Sequence, residues 1–284
     1  MIEPKKSLGQ HFLTNRNYCT RIADLAGIKD GDTLLEIGPG TGALTEVLLE
    51  QAAVVHAVEF DRDMVRALEE NFRDQLSSAP PRLILHQANV LRSDWQSILC
   101  PGNEGQSGNV QDSVKAETAV VGNLPYNIAT RILEHSIKFK HLFRSFTCMT
   151  QKEVSLRIQA APGSADYGYF SLLMDFNFER IRGFDVPPGA FNPPPKVISH
   201  VMQLRPRFLE TGAEQEFITI TKAAFSHRRK TIFNNLKLIF PNKKALSAIL
   251  EECGISEKSR PQELGLEEFL SVSEVSRGML SFRS

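Results

Sequence analysis

The sequence predicts an α/β protein in which a doubly wound parallel sheet is followed by a small all-α domain. Short apolar segments alternate with segments of helical periodicity through the first half of the chain. From Glu214 onward the pattern is helical only, and a chain of 284 residues has room for two domains. We therefore predict domains of residues 1–205 and 206–284, with the boundary near Pro206.

Each predicted element has its own local signal. Buried strands, recognised by short runs of mostly apolar residues, are expected at Thr33–Ile37, Val54–Val58, Arg82–His86, Ala119–Val121 and Leu142–Thr150. Helices with one apolar face are expected at Asn15–Gly27, Leu44–Gln51, Arg62–Phe72 and Ile128–Phe139. The C-terminal helices are expected at Glu214–Phe225, Thr231–Ile239, Lys243–Cys253 and Leu266–Met279. Pro101–Thr118, rich in Gly, Ser, Asn and Gln, is predicted to be a mobile surface insertion.

The composition excludes several protein classes. Apolar residues make up 42% and charged residues 23%, as in an ordinary soluble protein. No apolar run approaches the roughly 18 residues of a membrane span. The four cysteines are far apart, which argues against a disulfide framework or a thiolate zinc site. We expect a reduced, cytoplasmic, monomeric protein with no metal site and no membrane partner.

Charge is unevenly distributed, although 33 basic residues balance 33 acidic ones. The segment Phe217–Leu250 has no acidic residue, and His227, Arg228, Arg229 and Lys230 are contiguous within it. Such a cluster suits contacts with phosphates, and the alternative is a solvated helix face.

A glycine-rich turn follows the first predicted strand. Gly38, Gly40 and Gly42 allow a sharp bend and a close approach to a ligand. Glu59, 21 residues after Gly38, ends the second strand and can accept both ribose hydroxyls of NAD or of S-adenosylmethionine. Glu36 favours S-adenosylmethionine, because it can hold a ligand ammonium and would crowd the pyrophosphate of NAD.

Asn89 and Val90 follow the third strand, at the sheet edge where ligands bind. The amide can read an adenine edge and the valine can pack on its ring, although Asn89 can also simply cap the strand.

The tetrapeptide Asn123-Leu124-Pro125-Tyr126 follows the fourth strand and is the most specific motif. Pro125 fixes its own φ and keeps Leu124 extended, so the segment is stiff. The side-chain oxygen of Asn123 and the carbonyl of Leu124 can then accept both hydrogens of an exocyclic amine, while Tyr126 stacks on the base. The amine lone pair is directed at a sulfonium methyl, and no general base is required.

With these motifs the chain closely resembles the small-subunit ribosomal RNA adenine dimethyltransferases. The resemblance extends to Ser7–Leu13, to Phe191–Ser199, and to Phe225–Thr231 with Asn234–Lys237. It implies a Rossmann-like S-adenosylmethionine-dependent methyltransferase domain and a helical RNA-binding domain. It also implies that two adjacent adenosines in the 3′-terminal hairpin of the small-subunit RNA are dimethylated, within an immature ribosomal subunit.

The resemblance implies further site residues. His11 and Leu13 lie in the motif that closes over the methyl donor, and Phe191 joins Tyr126 in sandwiching the base, unless it packs in the core. Arg228, Arg229 and Lys230 lie near RNA phosphates or brace the domain interface.

Asn89 departs from the family, which usually has Asp there, so we expect weaker donor binding. Three alternative functions stay open: an adenine methylase of large-subunit RNA or DNA, an RNA-binding assembly factor with dispensable catalysis, and an NAD-linked oxidoreductase.

Overall fold

The computed structural model describes residues 10–52, 54–99, 118–240 and 242–279. They divide into two compact units. The first contains the residues up to Ser155 together with Glu179–Pro206, and the second contains Leu156–Phe178 and the residues from Arg207 onward. One limit thus coincides with the expected division near Pro206. Residues 156–178, expected in the first domain, instead pack with the helical unit.

A seven-stranded sheet is the centre of the first unit, in the order β4-β3-β2-β5-β6-β9-β7. Its strands are β2 (Thr33–Ile37), β3 (Val54–Glu59), β4 (Leu83–Gln87), β5 (Thr118–Asn123), β6 (Ser145–Gln151), β7 (Phe178–Val186) and β9 (Ser199–Pro206). The neighbouring strands from β4 to β6 are parallel, as predicted, whereas β9 is antiparallel to β6. A separate ribbon pairs β1 (Phe12–Leu13) with β8 (Phe191–Asn192).

Helices connect these strands. Their bounds are α1 Arg16–Ala26, α2 Ala43–Gln51, α3 Arg62–Asn71, α4 Arg73–Ser77, α5 Trp95–Leu99, α6 Ala129–Ser136 and α7 Lys152–Gln159, with a 3₁₀ segment at Ile137–Leu142. The side chains of Asn15 and Asp61 cap α1 and α3, and Gly27 ends α1 in the left-handed conformation. The predicted insertion Pro101–Thr118 lies outside the described residues except for Thr118, which is the first residue of β5.

Burial explains why these segments form a parallel sheet. Leu34, Val55 and Ala119 on three adjacent strands belong to one apolar core, against which α1 and α2 pack through Ile22 and Leu48. Parallel strands covered on both faces read as continuous apolar runs, which is how the sequence revealed them.

The helical unit has an apolar core of its own. It contains α8 (Tyr169–Asn177), α9 (Glu214–Ala224), α10 (Ile232–Leu236), α11 (Lys243–Glu252) and α12 (Leu266–Val275). Phe176 and Phe217 stack in this core with ring centroids 4.2 Å apart. None of the helices in the described ranges has the length and apolar character needed to cross a membrane.

The strand order fixes where a ligand can bind. The chain runs from β2 outward to β3 and β4, and then returns to β5 on the other side of β2. Ligands of open α/β sheets bind beyond the carboxyl ends of the strands at such a reversal. The glycine turn, Glu59, Asn89 and Asn123 all lie at this edge.

Candidate functional site

A cavity of about 630 Å³ opens at the carboxyl edge of the sheet. That volume falls within the range of about 300–1,000 Å³ typical of small-molecule sites. Ten residues predicted to be functional line it, namely His11, Gly38, Gly40, Glu59, Asn89, Val90, Asn123, Leu124, Pro125 and Tyr126. Residues separated by more than a hundred positions in the chain therefore share one site.

The glycine turn forms one wall of the cavity. Gly38 and Gly40 have φ values of 70° and 58°, which favour glycine over other residues. A Cβ on Gly40 would also lie 2.9 Å from the Phe12 ring, so the turn needs glycine for space as well as for conformation. Glycine at Gly40 therefore lets the turn pack closely against Phe12, and Gly38, Gly40 and Phe12 all line the cavity.

Glu36 is buried immediately behind this turn. Its side chain lines a small adjoining pocket with Leu13, Gly38 and Gly40. Thr45 Oγ1 donates to Glu36 Oε2 at 2.7 Å. Burial raises the pKa of Glu36 to about 8, so the free protein holds this carboxyl largely protonated at neutral pH.

Glu59 is held by the backbone. Its carboxylate accepts hydrogen bonds from the N–H groups of Gly40 at 3.2 Å, Phe60 at 2.8 Å and Asp61 at 2.8 Å. Burial raises the pKa of Glu59, and these three N–H groups oppose that rise. A carboxylate with four acceptor positions and three backbone donors retains acceptor capacity for a ligand.

The segment that follows β4 contributes a polar and an apolar side chain to the cavity, those of Asn89 and Val90. Asn89 Oδ1 accepts the Leu91 N–H at 3.0 Å, which fixes the side chain in a turn, and Val90 is 8% exposed. Both line the cavity. Asn89 therefore caps the turn after its strand, much as the alternative interpretation expects. Its oxygen has a second lone pair, which can accept a hydrogen bond from a ligand.

Asn123 is oriented by the N-terminal segment. Its Nδ2 donates to the His11 carbonyl oxygen at 3.1 Å, which assigns the amide nitrogen and leaves Oδ1 as the acceptor. Leu124 is fixed by its N–H, which donates to the Met149 carbonyl oxygen at 3.0 Å. Within the described ranges, no group donates to Asn123 Oδ1 or to the Leu124 carbonyl. Two acceptors are thus available on one rigid segment.

Tyr126 is fixed at two points. Its hydroxyl lies 2.5 Å from Ser199 Oγ, and its ring stacks with that of His11 at a centroid distance of 5.5 Å. His11 Nδ1 in turn donates to the Pro193 carbonyl oxygen at 2.8 Å. Tyr126, the side chain predicted to stack on a base, therefore lies in the cavity with its ring already stacked on the ring of His11.

Four residues predicted to bind the donor or the base do not line the main cavity: Leu13 and Glu36 line the small adjoining pocket, and Phe191 and Gly42 line neither. Phe191 pairs with Leu13 in the β1–β8 ribbon and is 4% exposed within the apolar core, so it does not reach the cavity as the sandwich prediction requires. Gly42 has a φ of 90°, and a Cβ there would collide with Phe72. Its conformation and packing, rather than ligand contact, require glycine in the free protein.

The comparison with known families decides what this site belongs to. The family described as "Ribosomal RNA adenine dimethylase" matches residues 1–277. The chain belongs to this family. The predictions of the family, of its Rossmann-like methyltransferase fold and of an adenine dimethyltransferase enzyme class are therefore confirmed.

Individual relatives agree over nearly the full length. The chain is 38% identical over 279 residues to "Ribosomal RNA small subunit methyltransferase A" of Geobacter metallireducens, covering 96% of this chain and 95% of the relative. Its counterpart in Pseudomonas putida is 36% identical over 273 residues, covering 95% and 94%.

Solved structures show the same fold. A dimethyladenosine transferase from Plasmodium falciparum superposes with a TM-score of 0.78 at 23% identity, covering 96% of this chain and 100% of that one. The 23S rRNA methyltransferase ErmE superposes with a TM-score of 0.66 at 25% identity, covering 93% and 98%.

The basic cluster of this dimethylase lies in the helical unit. Arg228 donates to the carbonyl oxygens of Ala165 at 2.8 Å and Tyr167 at 3.1 Å, so its guanidinium holds two loop carbonyls of its own unit. Arg229 and Lys230 are exposed. The cluster thus contains one bracing residue and two exposed cations.

Several residues that line the cavity were not predicted from the sequence, and Phe60, Arg92 and Arg131 are three of them. Phe60 exposes 61% of its surface although it is a large apolar side chain, and Arg92 and Arg131 are also exposed. Phe60 follows Glu59 directly, so its place at the strand end could have indicated it. The arginines carry no such signal, because exposed arginines are ordinary in any sequence.

Proposed function

We propose that this chain transfers methyl groups from S-adenosylmethionine to the exocyclic amines of two adjacent adenosines in the 3′-terminal hairpin of small-subunit ribosomal RNA. The products are N6,N6-dimethyladenosines, formed by a cytoplasmic monomer on an immature subunit. The names of the relatives support the small-subunit substrate. The observation that carries the proposal is the pair of acceptors, Asn123 Oδ1 and the Leu124 carbonyl, in the same cavity as Glu59 and the glycine turn.

The residues of the cavity fit the methyl donor. Glu59 would accept the ribose hydroxyls, and Glu36 would hold the ammonium beyond the open glycine turn. Phe60 and Val90 offer an aromatic and an aliphatic surface to the adenine, whose edge Asn89 would read. The protein residues would thus place an acidic group at the ammonium of S-adenosylmethionine and apolar surfaces at its flat adenine ring, so charge and shape both match.

The chain's contribution to the transfer is alignment. When bound, S-adenosylmethionine supplies an electrophilic methyl carbon on a sulfonium. Asn123 and Leu124 accept the two amine hydrogens, which turns the nitrogen lone pair out of conjugation with the base and toward that carbon. Tyr126, fixed by Ser199 and His11, holds the base in plane. Holding two reactants in attack geometry is worth about 7–11 kcal/mol.

No general base is assigned to this chain. The amine becomes positively charged as its new bond forms, and its proton is then acidic enough to leave to water.

Donor binding should depend on pH through Glu36. A nearby ammonium favours the carboxylate, so binding lowers the raised pKa of about 8 and releases a proton at neutral pH. We therefore expect donor affinity to increase from pH 6 to pH 8, by at most about tenfold per unit, and to level off above pH 8. Calorimetry in buffers of different ionisation enthalpy measures the released proton.

Two controls isolate this effect. Glu36→Gln should abolish proton release, and 5′-methylthioadenosine, which lacks the amino-acid portion, should bind without it. Equal proton release by the wild type and by Glu36→Gln would contradict the assignment of Glu36 to the ammonium.

Arg229 and Lys230 should contribute to RNA binding through their charge. Replacing both by Ala should lower the slope of log affinity against log salt by about 1.4–1.8, because each phosphate contact releases about 0.7–0.9 counterion. Arg228→Ala should instead lower the free energy of unfolding by about 1 kcal/mol, since two hydrogen bonds are lost. Salt-dependent binding and denaturant titrations measure the two effects.

The exposed Lys258 of the same unit provides the control for charge. An unchanged salt slope for the Arg229/Lys230 double variant, compared with Lys258→Ala, would exclude these two side chains from the RNA interface.

Labelled S-adenosylmethionine tests the proposed reaction directly. We expect unmethylated small ribosomal subunits to be labelled, and nuclease digestion to yield N6,N6-dimethyladenosine. Large subunits serve as the comparison, because the similarity to the 23S rRNA methyltransferase ErmE makes a large-subunit adenine the second candidate. Label in large subunits alone would replace the first proposal by the second.

A further inference from the structure

Two arginines stand at the mouth of the donor cavity. Arg92 follows β4 and Arg131 belongs to the first turn of α6, which follows β5, and both side chains line the cavity and are exposed. In the sheet, β4 and β5 are separated by β3 and β2. With strands about 4.8 Å apart, the two arginines start from positions roughly 14 Å apart across the sheet. They therefore approach the cavity from opposite sides.

Neither guanidinium has a protein counter-ion in the described part of the chain. The ion pairs found there involve other cations. Among the described residues that line the cavity, Glu59 is the one acid. Glu59 is 9% exposed, and its carboxylate accepts hydrogen bonds from three backbone N–H groups. Two exposed charges thus face the opening of a cavity without neutralisation.

Position distinguishes between two possible anions. The carboxylate of the methyl donor is attached to the same carbon as its ammonium, which is assigned to Glu36. The small pocket beside Glu36 is lined by neither arginine. The phosphates of the RNA strand, in contrast, must pass the mouth of the cavity when a base enters it. A guanidinium suits phosphate because its planar fork can donate two parallel hydrogen bonds.

We propose that Arg92 and Arg131 bind the RNA phosphates on either side of the adenosine that enters the cavity. This inference rests on the proposed function and deepens it. The methyltransferase unit then has an RNA-binding site of its own, which positions the strand at the cavity. Arg229 and Lys230 contact RNA from the helical unit by a separate set of charges.

The test compares Arg92→Ala, Arg131→Ala and the double variant with Arg66→Ala, an exposed arginine of α3 that does not line the cavity. Each cavity variant should raise KM for unmethylated small subunits about 5- to 10-fold, with kcat changed less than 3-fold. For a single-stranded RNA oligonucleotide, the slope of log affinity against log salt should fall by about 0.7 per arginine. Arg92→Lys and Arg131→Lys should retain the slope.

The affinity for S-adenosylmethionine distinguishes arginines that bind RNA phosphates from arginines that bind the donor carboxylate. We expect the donor Kd to stay within 2-fold in all variants. An unchanged salt slope overturns the proposal, and a raised donor Kd with an unchanged slope assigns the arginines to the donor carboxylate instead. If wild-type protein leaves small subunits unlabelled, the proposed function fails, whereas the oligonucleotide slopes still decide whether the arginines bind RNA.

Discussion

Replacing Asn123 by Ala should lower kcat by at least about 10³-fold while RNA affinity stays nearly unchanged. The amide provides one of the two acceptors that orient the target amine, and loss of alignment removes several of the roughly 7–11 kcal/mol that positioning provides. The His11 carbonyl also loses its partner, since Asn123 Nδ2 donates to it at 3.1 Å. Single-turnover methylation of small subunits measures the rate, and filter binding measures the affinity.

Asn71→Ala is the matched control, because Asn71 is exposed at the end of α3. Thermal unfolding of both variants shows whether the cavity wall stays folded. A turnover of Asn123→Ala within 10-fold of the wild type would refute the assigned role.

Replacing Glu59 by Ala should weaken donor binding by about 30- to 100-fold. Hydrogen bonds to a charged group contribute about 1.5–3 kcal/mol each, and the three backbone N–H groups that hold the carboxylate would also lose their acceptor. Calorimetric titration with S-adenosylmethionine measures the change, and RNA affinity should be unaffected.

Glu69→Ala removes an exposed carboxylate from the neighbouring helix α3 and controls for net charge. Because Glu59 also orders the backbone from Phe60 to Asp61, Glu59→Gln is the variant that keeps its volume. Unchanged donor affinity in both Glu59 variants would exclude this carboxylate from the donor site.

The parallel part of the sheet could be predicted because burial on both faces produces continuous apolar runs. The predicted strand Thr33–Ile37 matches β2, and Val54–Val58 differs from β3 by one residue. β7 could not be recognised in the same way, because its sequence includes the charged residues Glu179, Arg180 and Arg182. It is an edge strand, with one neighbouring strand among the described residues. Strand pairing at such an edge depends on tertiary contacts that no local pattern records.

The site could be predicted for residues at the carboxyl ends of the parallel strands, because those ends meet at one edge of the sheet. Gly38 follows β2, and Glu59 and Asn123 are the last residues of β3 and β5. The three strands end at one edge of the sheet, so the proximity of these residues follows from topology. The burial of Phe191 could not be read from its motif, because an aromatic residue beside prolines suits a core as well as a binding surface. The stacking of His11 on Tyr126 was equally inaccessible, since it joins residues 115 positions apart.

The pairing of β1 with β8 has a consequence for how the protein becomes active during its own synthesis. His11 bonds to Pro193, a residue 182 positions later in the chain. At elongation rates of about 5–20 residues per second, roughly 10–40 seconds separate the synthesis of these two residues. During that interval the nascent polypeptide has β1 and the cavity residue His11 without the partners that hold them, so the cavity can be completed only after most of the message has been translated.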